Sequence, residues 1–376
     1  MPSQSPPLLS ILIAVSTRVD LLAHCLESLQ QHMPAELPHE VIVVLNGLEP
    51  AVVDRLRSAH RDVTFIRSPV NLGMAGSGNR ARCEASGRFL VTLHDDATIE
   101  PGWAEALLQA AHDHPRAGAI GSKVLYPDGR LQSAGAILWR SGLTTPPWDG
   151  PAPESSAVTA TRPIDYCGTC ALLIRAEAFD AVGGFDERIY PAYYVDVDLG
   201  LALRSKGYYV LCEPRSVIRH HRGSSSGTAI KRVAVARNRE HLLRKWATAI
   251  ACHEAQPQPG DQHAIEAALL RAARFAEACE AGEARPILPE DAGSSWQEWR
   301  SEDVIERHYR LSCQLHQAIV EHLENELVTR DEILAHGQQD KPLSAPAGMR
   351  RWRRALTATA RRLIAGFRGA SSQDDA

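Results

Sequence analysis

RFLVTLHDDATIEPGW, residues 88–103, decides the fold. RFLVTL is a short apolar run that predicts a strand, and it ends at His94 where two adjacent carboxylates, Asp95 and Asp96, follow. Pro101-Gly102 then opens a helical stretch. Two acids directly after an apolar strand put negative charge at the carboxyl end of a sheet, which is where open parallel sheets bind ligands. Carboxylate oxygens suit Mg²⁺ or Mn²⁺, and Mg²⁺ is commonly held by one or two carboxylates with substrate phosphates completing the shell. An Asp pair before a Pro-Gly turn also caps turns and helices. The stretch alone leaves both roles open.

Working outward, LLSILIAV (8–15), EVIVVLN (40–46) and VTFIRS (63–68) are β-rich runs separated by helical patterns such as VDLLAHCLESLQQH (19–32). This alternation predicts parallel strands joined by helices. A helical stretch over 74–86 leads into RFLVTL, a helix begins near Pro101, and AGAIGSKVLY (117–126) predicts a further strand. Residues 141–163, rich in Pro, Ser, Thr and Gly, predict a loop. CALLIR (170–175) reads as a strand, AEAFDAV (176–182) as a helix, DVDLGLALRSKG (196–207) as a helix and YYVLCEP (208–214) as a strand. The α/β domain is therefore expected over residues 1–228.

Beyond 228 the chain turns rich in Ala, Glu and Arg, and a helical extension is expected over 229–345. Leu311, Leu315, Ile319, Leu323 and Leu327 form an apolar stripe that suits a helix packed on the main domain or a coiled-coil contact in a homodimer. Residues 346–376 form a basic tail with Arg350, Arg351, Arg353, Arg354, Arg361, Arg362 and Arg368 around Trp352, Leu356, Leu363 and Phe367. An amphipathic helix of this kind fits an anionic membrane surface, and a solvated tail is the alternative.

Composition bounds the function. With 376 residues, 44% hydrophobic, the chain can bury a large core, and a formal net charge of -4 argues against a nucleic-acid binder. No run approaches the roughly 18 apolar residues of a membrane-spanning helix, and the N-terminus lacks the basic-then-apolar order of a secretory signal. A cytoplasmic protein is expected, with the tail as a peripheral contact at the inner face of the membrane. The 8 cysteines follow no repeated framework, and the lone Cys167-x-x-Cys170 has no partner pair, so both are expected as buried small groups.

The segments SILIAVSTRVDLLAHCLESL, EVIVVLNGL, SPVNLGMAGSGNRA, LHDDATIEPGW, GSKVLYPDGRLQSAG, CALLIRAEAFDAVGGFDERI, YVDVDLGLALRSKGYYVL and IRHHRGSSSG resemble, in order and spacing over residues 8–228, the family 2 glycosyltransferases of GT-A fold. The resemblance implies an α/β, Rossmann-like, mostly parallel sheet flanked by helices. It also implies inverting transfer of a sugar from a nucleotide-sugar donor to a hydroxyl of a glycan or lipid-linked acceptor, with Mg²⁺ or Mn²⁺ as cofactor. The family's metal motif matches His94, Asp95 and Asp96, which makes Asp96 the expected metal ligand and Asp95 a neighbour of ribose or metal. His94 stands where the family usually has Asp.

The family's Glu-Asp pair matches Val195 and Asp196, and Asp196 is the expected base that takes the acceptor's proton as its oxygen attacks. Asp198 is expected to cap or pair structurally. A histidine before a Gly-Ser loop implies a further metal ligand, and spacing to Gly223 favours His221 over His220. Ser16, Thr17 and Arg18 are implied contacts to base or ribose. Asn46 remains from an Asp-Asn pair in which Leu45 replaces the Asp. Asn71, Gly73 and Asn79 match the donor site, and Gly168 and Thr169 match the acceptor side.

Other readings keep a place. Glycines 73, 76 and 78 follow G-x-x-G-x-G, which is not the dinucleotide fingerprint, and they also suit a glycine-rich helix start. Trp103 is expected to pack. A scaffold with the same fold and no catalysis is suggested by His94, Val195 and Leu45 together. A nucleotidyltransferase wants a Gly- and Arg-rich phosphate loop after the first strand, which AVSTRVD lacks.

Overall fold

The computed structural model describes residues 6–147, 158–221, 228–258, 261–291 and 303–337. The basic tail, the Ser224–Ser226 loop and residues 148–157 of the expected loop lie outside them.

Strands β1 (Leu9–Val15), β2 (His39–Asn46), β3 (Val63–Ser68) and β4 (Phe89–His94) run parallel in the order β3-β2-β1-β4. Helices α1 (Val19–His32), α2 (Pro50–Ala59) and α3 (Gly73–Arg82) connect them. The chain moves outward from β1 to β3 and then returns to β4 on the other side of β1, so the strand order reverses between β1 and β4. Their carboxyl ends, Val15 and His94, open a crevice at that switch point, the usual ligand position in such sheets.

The second half contributes β5 (Ala97–Ile99), α4 (Trp103–Asp113), β6 (Ala117–Leu125), β7 (Leu131–Ser133), β8 (Ile137–Leu138) and β9 (Thr144–Thr145). β10 (Arg162–Ile164), β11 (Ala171–Arg175), α5 (Ala176–Val182), α6 (Val195–Arg204) and β12 (Tyr209–His220) follow. Among the described residues this makes a 10-stranded sheet ordered β10-β12-β6-β11-β4-β1-β2-β3, with β5 paired to β12 and β7 to β6. β11 runs antiparallel between β4 and β6, while β12 is parallel to β6. The carboxyl ends of β1, β4, β6 and β12 therefore share one rim, and β11 enters the sheet from it.

Alternation along β1 explains the layers. Ile11, Ile13 and Val15 join Leu22, Leu26 and Trp103 on one face, while Leu12 joins Ile42, Leu90 and Val195 on the other. A strand buried on both faces reads as a continuous apolar run, which is why LLSILIAV and EVIVVLN show no polar alternation. The expected loop at 141–163 is only partly a loop: Thr144–Thr145 pairs with Ile137–Leu138, and Arg162–Ile164 extends the sheet beside β12.

Helices α7 (Thr228–Lys245), α8 (Ala247–Ala251), α9 (Gln262–Glu280) and α10 (Asp303–Gly337) follow. Leu242, Trp246, Ile250 and Ala268 are buried in the same cluster as Leu12 and Leu90, so the boundary at 228 marks a change of element type within one continuous core. Leu311, Leu315 and Ile319 pack with Tyr190, Tyr193 and Ala234. The side chains of Leu323 and Leu327 lie outside the described residues.

A buried ionic cluster ties these helices to α6. Lys245 Nζ lies 2.9 Å from Asp186 Oδ2 and 2.8 Å from Asp198 Oδ2, and Trp246 Nε1 donates to Asp198 Oδ1 at 2.7 Å. Asp186 also takes hydrogen bonds from Arg188 and His241. The hydrogen bonds from His241 and Arg188 and the charges of Lys245 and Arg188 hold the Asp186 carboxyl well below the usual carboxylate range against the upward push of burial. Removing one member of such a cluster strands a buried charge. Lys245→Met should lower unfolding free energy by about 3–5 kcal/mol, read from urea denaturation. A loss under about 1 kcal/mol would mean that Asp198 finds solvent or another partner.

Candidate functional site

At the shared rim, three side chains from two strand ends converge. His94 ends β4, Asp96 follows it, and His220 ends β12. His220 Nε2 lies 3.0 Å from Asp96 Oδ1, His94 Nδ1 lies 3.3 Å from His220 Nε2, and His94 Nδ1 lies 3.9 Å from Asp96 Oδ1. Asp96 is 6% exposed and His220 8%. Two imidazole nitrogens and a carboxylate oxygen within this triangle form a donor set that suits a divalent cation. Burial and the neighbouring His220 push His94 down to about 4, against the opposite pull of Asp96, so its imidazole is neutral at pH 7 with a lone pair to offer. Burial, with Asp96 beside it, raises the Asp95 carboxyl to about 7.

Strand register explains which histidine faces Asp96. β5 pairs antiparallel with the end of β12, with His220 opposite Ala97 and Arg219 opposite Thr98. Successive side chains point to opposite faces, so His220 turns toward Asp96 and His221 turns to solvent, where it is exposed. The structure thus sets His220, rather than the expected His221, against Asp96. Of His221 only the backbone N–H reaches Asp96, donating to the main-chain oxygen at 3.0 Å. The glycine-based spacing argument could not see this, because it counts residues and ignores the pleat.

Gln132, which sequence reasoning missed, sets the orientation of His220. Its Nε2 donates to the His220 carbonyl at 3.1 Å, which fixes the amide, and its Oε1 accepts from His220 Nδ1–H at 2.7 Å. The Nε2 lone pair is thereby left to the triangle.

Asp196 sits in the first turn of α6. Burial raises its carboxyl to about 6, while backbone N–H groups of Val197 and Thr169 pull the other way. Val197 N–H donates to Oδ1 at 3.0 Å. A Cβ added to Gly168 would lie 3.8 Å from Asp196 Oδ2. Thr169 links the two halves of the site, since its backbone meets Asp196 and its Oγ1 lies 3.5 Å from His94 Nε2. Gly168 and Thr169 thus stand between the lone carboxylate and the triangle.

The turn that starts α6 is strained. Tyr193 and Tyr194 both have positive φ, 68° and 69°, which non-glycine residues rarely adopt. Asn238 of α7 holds it by donating from Nδ2 to the carbonyls of Ala192 and Tyr193 at 2.8 and 3.2 Å. Tyr194 Oη donates to the Gly142 carbonyl at 2.9 Å. Strain of this kind persists only where neighbours over-determine it.

The other expected positions divide. Ser16, Thr17 and Arg18 follow β1 at the crevice, and Arg18 pairs with Asp20 at 2.7 Å while feeling the charges of Asp95 and Asp96. Of the remaining donor-side expectations, Asn46 and Asn79 make their side-chain hydrogen bonds within the chain. Asn46 is buried, with Nδ2 donating to Ser77 Oγ at 2.9 Å and Oδ1 accepting from Leu72 N–H at 3.1 Å. Asn79 is 0% exposed and holds both the N–H and the C=O of Phe185. Asn71 Oδ1 accepts from Gly73 N–H at 2.9 Å.

Gly73 is needed for packing against Pro191, whose carbonyl would lie 2.6 Å from an added Cβ, and its φ is +65°. Gly78 meets Phe185 at 2.6 Å in the same way. The glycine-rich helix start is accordingly the part of that reading that describes the geometry. Asp198 belongs to the Lys245 cluster, Cys167 and Cys170 are buried, and Trp103 is 0% exposed with Nε1 donating to Ser122.

Comparisons with known proteins agree with this layout. Residues 10–183 match the family model described as glycosyl transferase family 2. The chain is 31% identical over 240 residues to the O-antigen biosynthesis protein RfbC of Myxococcus xanthus, covering 60% of this chain and 18% of that protein. It is 29% identical over 217 residues to N-acetylglucosaminyl-diphospho-decaprenol L-rhamnosyltransferase of Mycobacterium tuberculosis (strain ATCC 25618 / H37Rv), covering 52% of this chain and 70% of that protein. A third relative, the uncharacterized protein y4gI of Sinorhizobium fredii, is 29% identical over 66% of this chain and 28% of its own length. The chain therefore spans a minor part of RfbC and y4gI. The crystal structure of GalNAc-T7 with UDP, GalNAc and Mn²⁺ superposes with a TM-score of 0.52 at 12% identity, covering 80% of this chain and 58% of that chain, and shares the fold.

Gln132→Ala should weaken Mn²⁺ binding by about 10- to 100-fold with an unchanged urea midpoint. Isothermal titration that finds wild-type affinity would show that the Gln132 bond orients nothing.

Proposed function

We propose that this chain is a family 2 glycosyltransferase that moves a sugar from a nucleoside-diphosphate donor to a hydroxyl of a glycan or lipid-linked acceptor in surface polysaccharide synthesis. The observation that carries the reading is the pairing, on one rim, of the raised Asp196 carboxylate with a His/Asp/His triangle across Thr169. The first feature suits a proton acceptor. The second suits a cation.

In this reading the donor's nucleotide enters the crevice between the ends of β1 and β4, with Ser16, Thr17 and Arg18 along its edge. Arg18, close to Asp95 and Asp96, is placed for a diphosphate or ribose contact. A divalent cation, Mn²⁺ or Mg²⁺, held by Asp96 and His220 would offset charge on the departing nucleoside diphosphate. Asp196 acts on the acceptor. Its Oδ2 takes the proton of the attacking hydroxyl as that oxygen bonds to the anomeric carbon from the side opposite the leaving group, which inverts the centre. Gly168 leaves room beside that oxygen because it carries no side chain.

The carboxyl at about 6 is ionised at neutral pH and still basic enough to accept a proton. Relatives support the substrate class through their names, O-antigen biosynthesis and rhamnosyl transfer to a decaprenyl-linked sugar. The Arg-rich tail supports contact with an anionic membrane, which would bring a lipid-linked acceptor within reach. Among the described residues, no helix is long and apolar enough to cross a membrane. A homodimer through the far part of α10 is a further proposal, since the near part of its stripe is used within the chain.

Several measurements test the reading. Thermal-shift titration against UDP-, dTDP- and GDP-sugars, each with Mn²⁺ and with chelator, should give a metal-dependent rise for one nucleotide. No rise with any donor would favour the silent scaffold.

Asp196→Asn should cut transfer by about 10²- to 10⁴-fold with donor binding kept, and an active variant would remove the assignment of the base. Activity needs the ionised form, so kcat/KM should rise with pH through about 6 and level off above it. The stability effect has the opposite sense. A folded pKa above the unfolded value makes the ionised carboxylate costly, so stability falls as pH rises from the ordinary carboxylate range to about 6 and stays lower above it. Asp196→Asn should therefore melt higher than wild type at pH 7.5, as differential scanning calorimetry would register.

A further inference from the structure

We infer that His94 is itself a metal ligand, completing a facial site of two imidazoles and one carboxylate that takes Mn²⁺ in preference to Mg²⁺ and before any nucleotide binds. The inference rests on the metal role proposed for Asp96 and His220 and goes beyond it.

The spacing carries the first step. Ligand bonds of roughly 2.0–2.2 Å meeting near right angles separate neighbouring donor atoms by about 3 Å, and somewhat more as the angle opens. The three atoms here stand 3.0, 3.3 and 3.9 Å apart, so a single ion can touch all three from one side. An octahedral ion held by three protein ligands keeps further positions for diphosphate oxygens and water.

The site is held before any ion arrives. His94 is fixed on β4 by the ladder to Ala14 and by donation of its N–H to the Cys170 carbonyl at 3.1 Å. Asp96 is tied through its main-chain oxygen to His221 N–H. His220 is gripped by both ends of the Gln132 amide.

Hydrogen bonding assigns the tautomers. His220 spends its Nδ1–H on Gln132, and Thr169 Oγ1 is the acceptor offered to His94 Nε2–H. Two imidazole lone pairs and a carboxylate oxygen then converge on one point.

Donor chemistry sets the preference. Mg²⁺ takes oxygen ligands and keeps its waters, whereas imidazole suits first-row transition ions, among which Mn²⁺ also accepts carboxylate and phosphate oxygens. An Asp in place of His94 would present a second hard oxygen and shift the balance toward Mg²⁺.

The test uses the full chain, freed of metal and without nucleotide, titrated with Mn²⁺ while electron paramagnetic resonance follows the free ion. Wild type should bind one Mn²⁺ per chain and keep it against a hundredfold excess of Mg²⁺. His94→Ala should bind at least tenfold more weakly, and His94→Asp should lose Mn²⁺ to Mg²⁺ at a lower excess. Because a variant could misfold, electron spin echo modulation of the wild-type complex provides a second readout, with nitrogen couplings from two imidazoles expected. Coupling to a single imidazole, or equal binding by folded His94→Ala, overturns the inference while leaving Asp96 and His220 in place. Absence of Mn²⁺ binding by wild type, with or without UDP, overturns both this inference and the metal role on which it rests.

Discussion

The short ladder between Ala97–Ile99 and Ile218–His220 is the constraint on which the rim depends. After β4 the chain must leave the sheet, and two acids in that exit would point into solvent if nothing caught them. Antiparallel pairing with the end of β12 returns the exit across the top of the sheet and holds Asp96 within 3.0 Å of His220. The pairing is possible because β10 covers only Val210–Cys212 on that edge of β12, which leaves Ile218–His220 to β5 while β6 stays paired on the other edge through Arg219. Extending one strand beyond its neighbour brings an acid and a histidine together from positions more than a hundred residues apart.

The Asp196 side of the rim is positioned by different forces. Asp196 rides on α6, whose entry at Tyr193 and Tyr194 is strained and whose next acid, Asp198, is locked to Lys245 and Trp246 of the α7–α8 region. The cost of burying two carboxylates and an ammonium is offset only while the cluster stays complete. Helices beyond residue 228 are therefore structural parts of the site, although none of their described side chains lies in the triangle or beside Asp196. Asn238 acts in the same sense by taking up the carbonyls of the strained turn. A second buried anion, Asp165, is bound by Arg204 of α6 and Arg271 of α9, which hold it down to about 2 against the effect of burial. Through it the far end of α6 is clamped as well.

Periodicity and order made much of this legible in the sequence. RFLVTL, CALLIR and AEAFDAV fall on β4, β11 and α5 with at most a residue of difference, because apolar runs bounded by turn residues are local signals. The two carboxylate positions at the rim were legible for the same reason, since each sits at an element end. What could not be read depends on register and on distant partners. His220 and His221 differ by one step of the pleat, and only the β5 ladder decides between them. Gln132 carries no local signal at all. Asn46 and Asn79 match a donor-site pattern in order and spacing, yet their amides are committed to Ser77, Leu72 and Phe185, contacts across 26 to 106 residues of chain. Arg162–Ile164 looked like loop because a proline sits in it, and proline is tolerated there because β10 is an edge strand.

The three departures from the family pattern fall into two physical classes. Leu45 is 0% exposed in the cluster with Ile11 and Leu22, and Val195 is 3% exposed beside Leu12 and Ile42, so both are core residues that face away from solvent. They alter packing. His94 alone projects into the site, where it meets His220, Asp96 and Thr169. A chain released from catalysis would be free to relieve a half-buried carboxylate such as Asp196, whose ionised form costs stability at neutral pH. It would also be free to relax the left-handed turn in front of it. Both costs are retained here, and at the rim the departure exchanges one metal-competent side chain for another. That combination is what an altered active site keeps and what a bare scaffold has no reason to maintain.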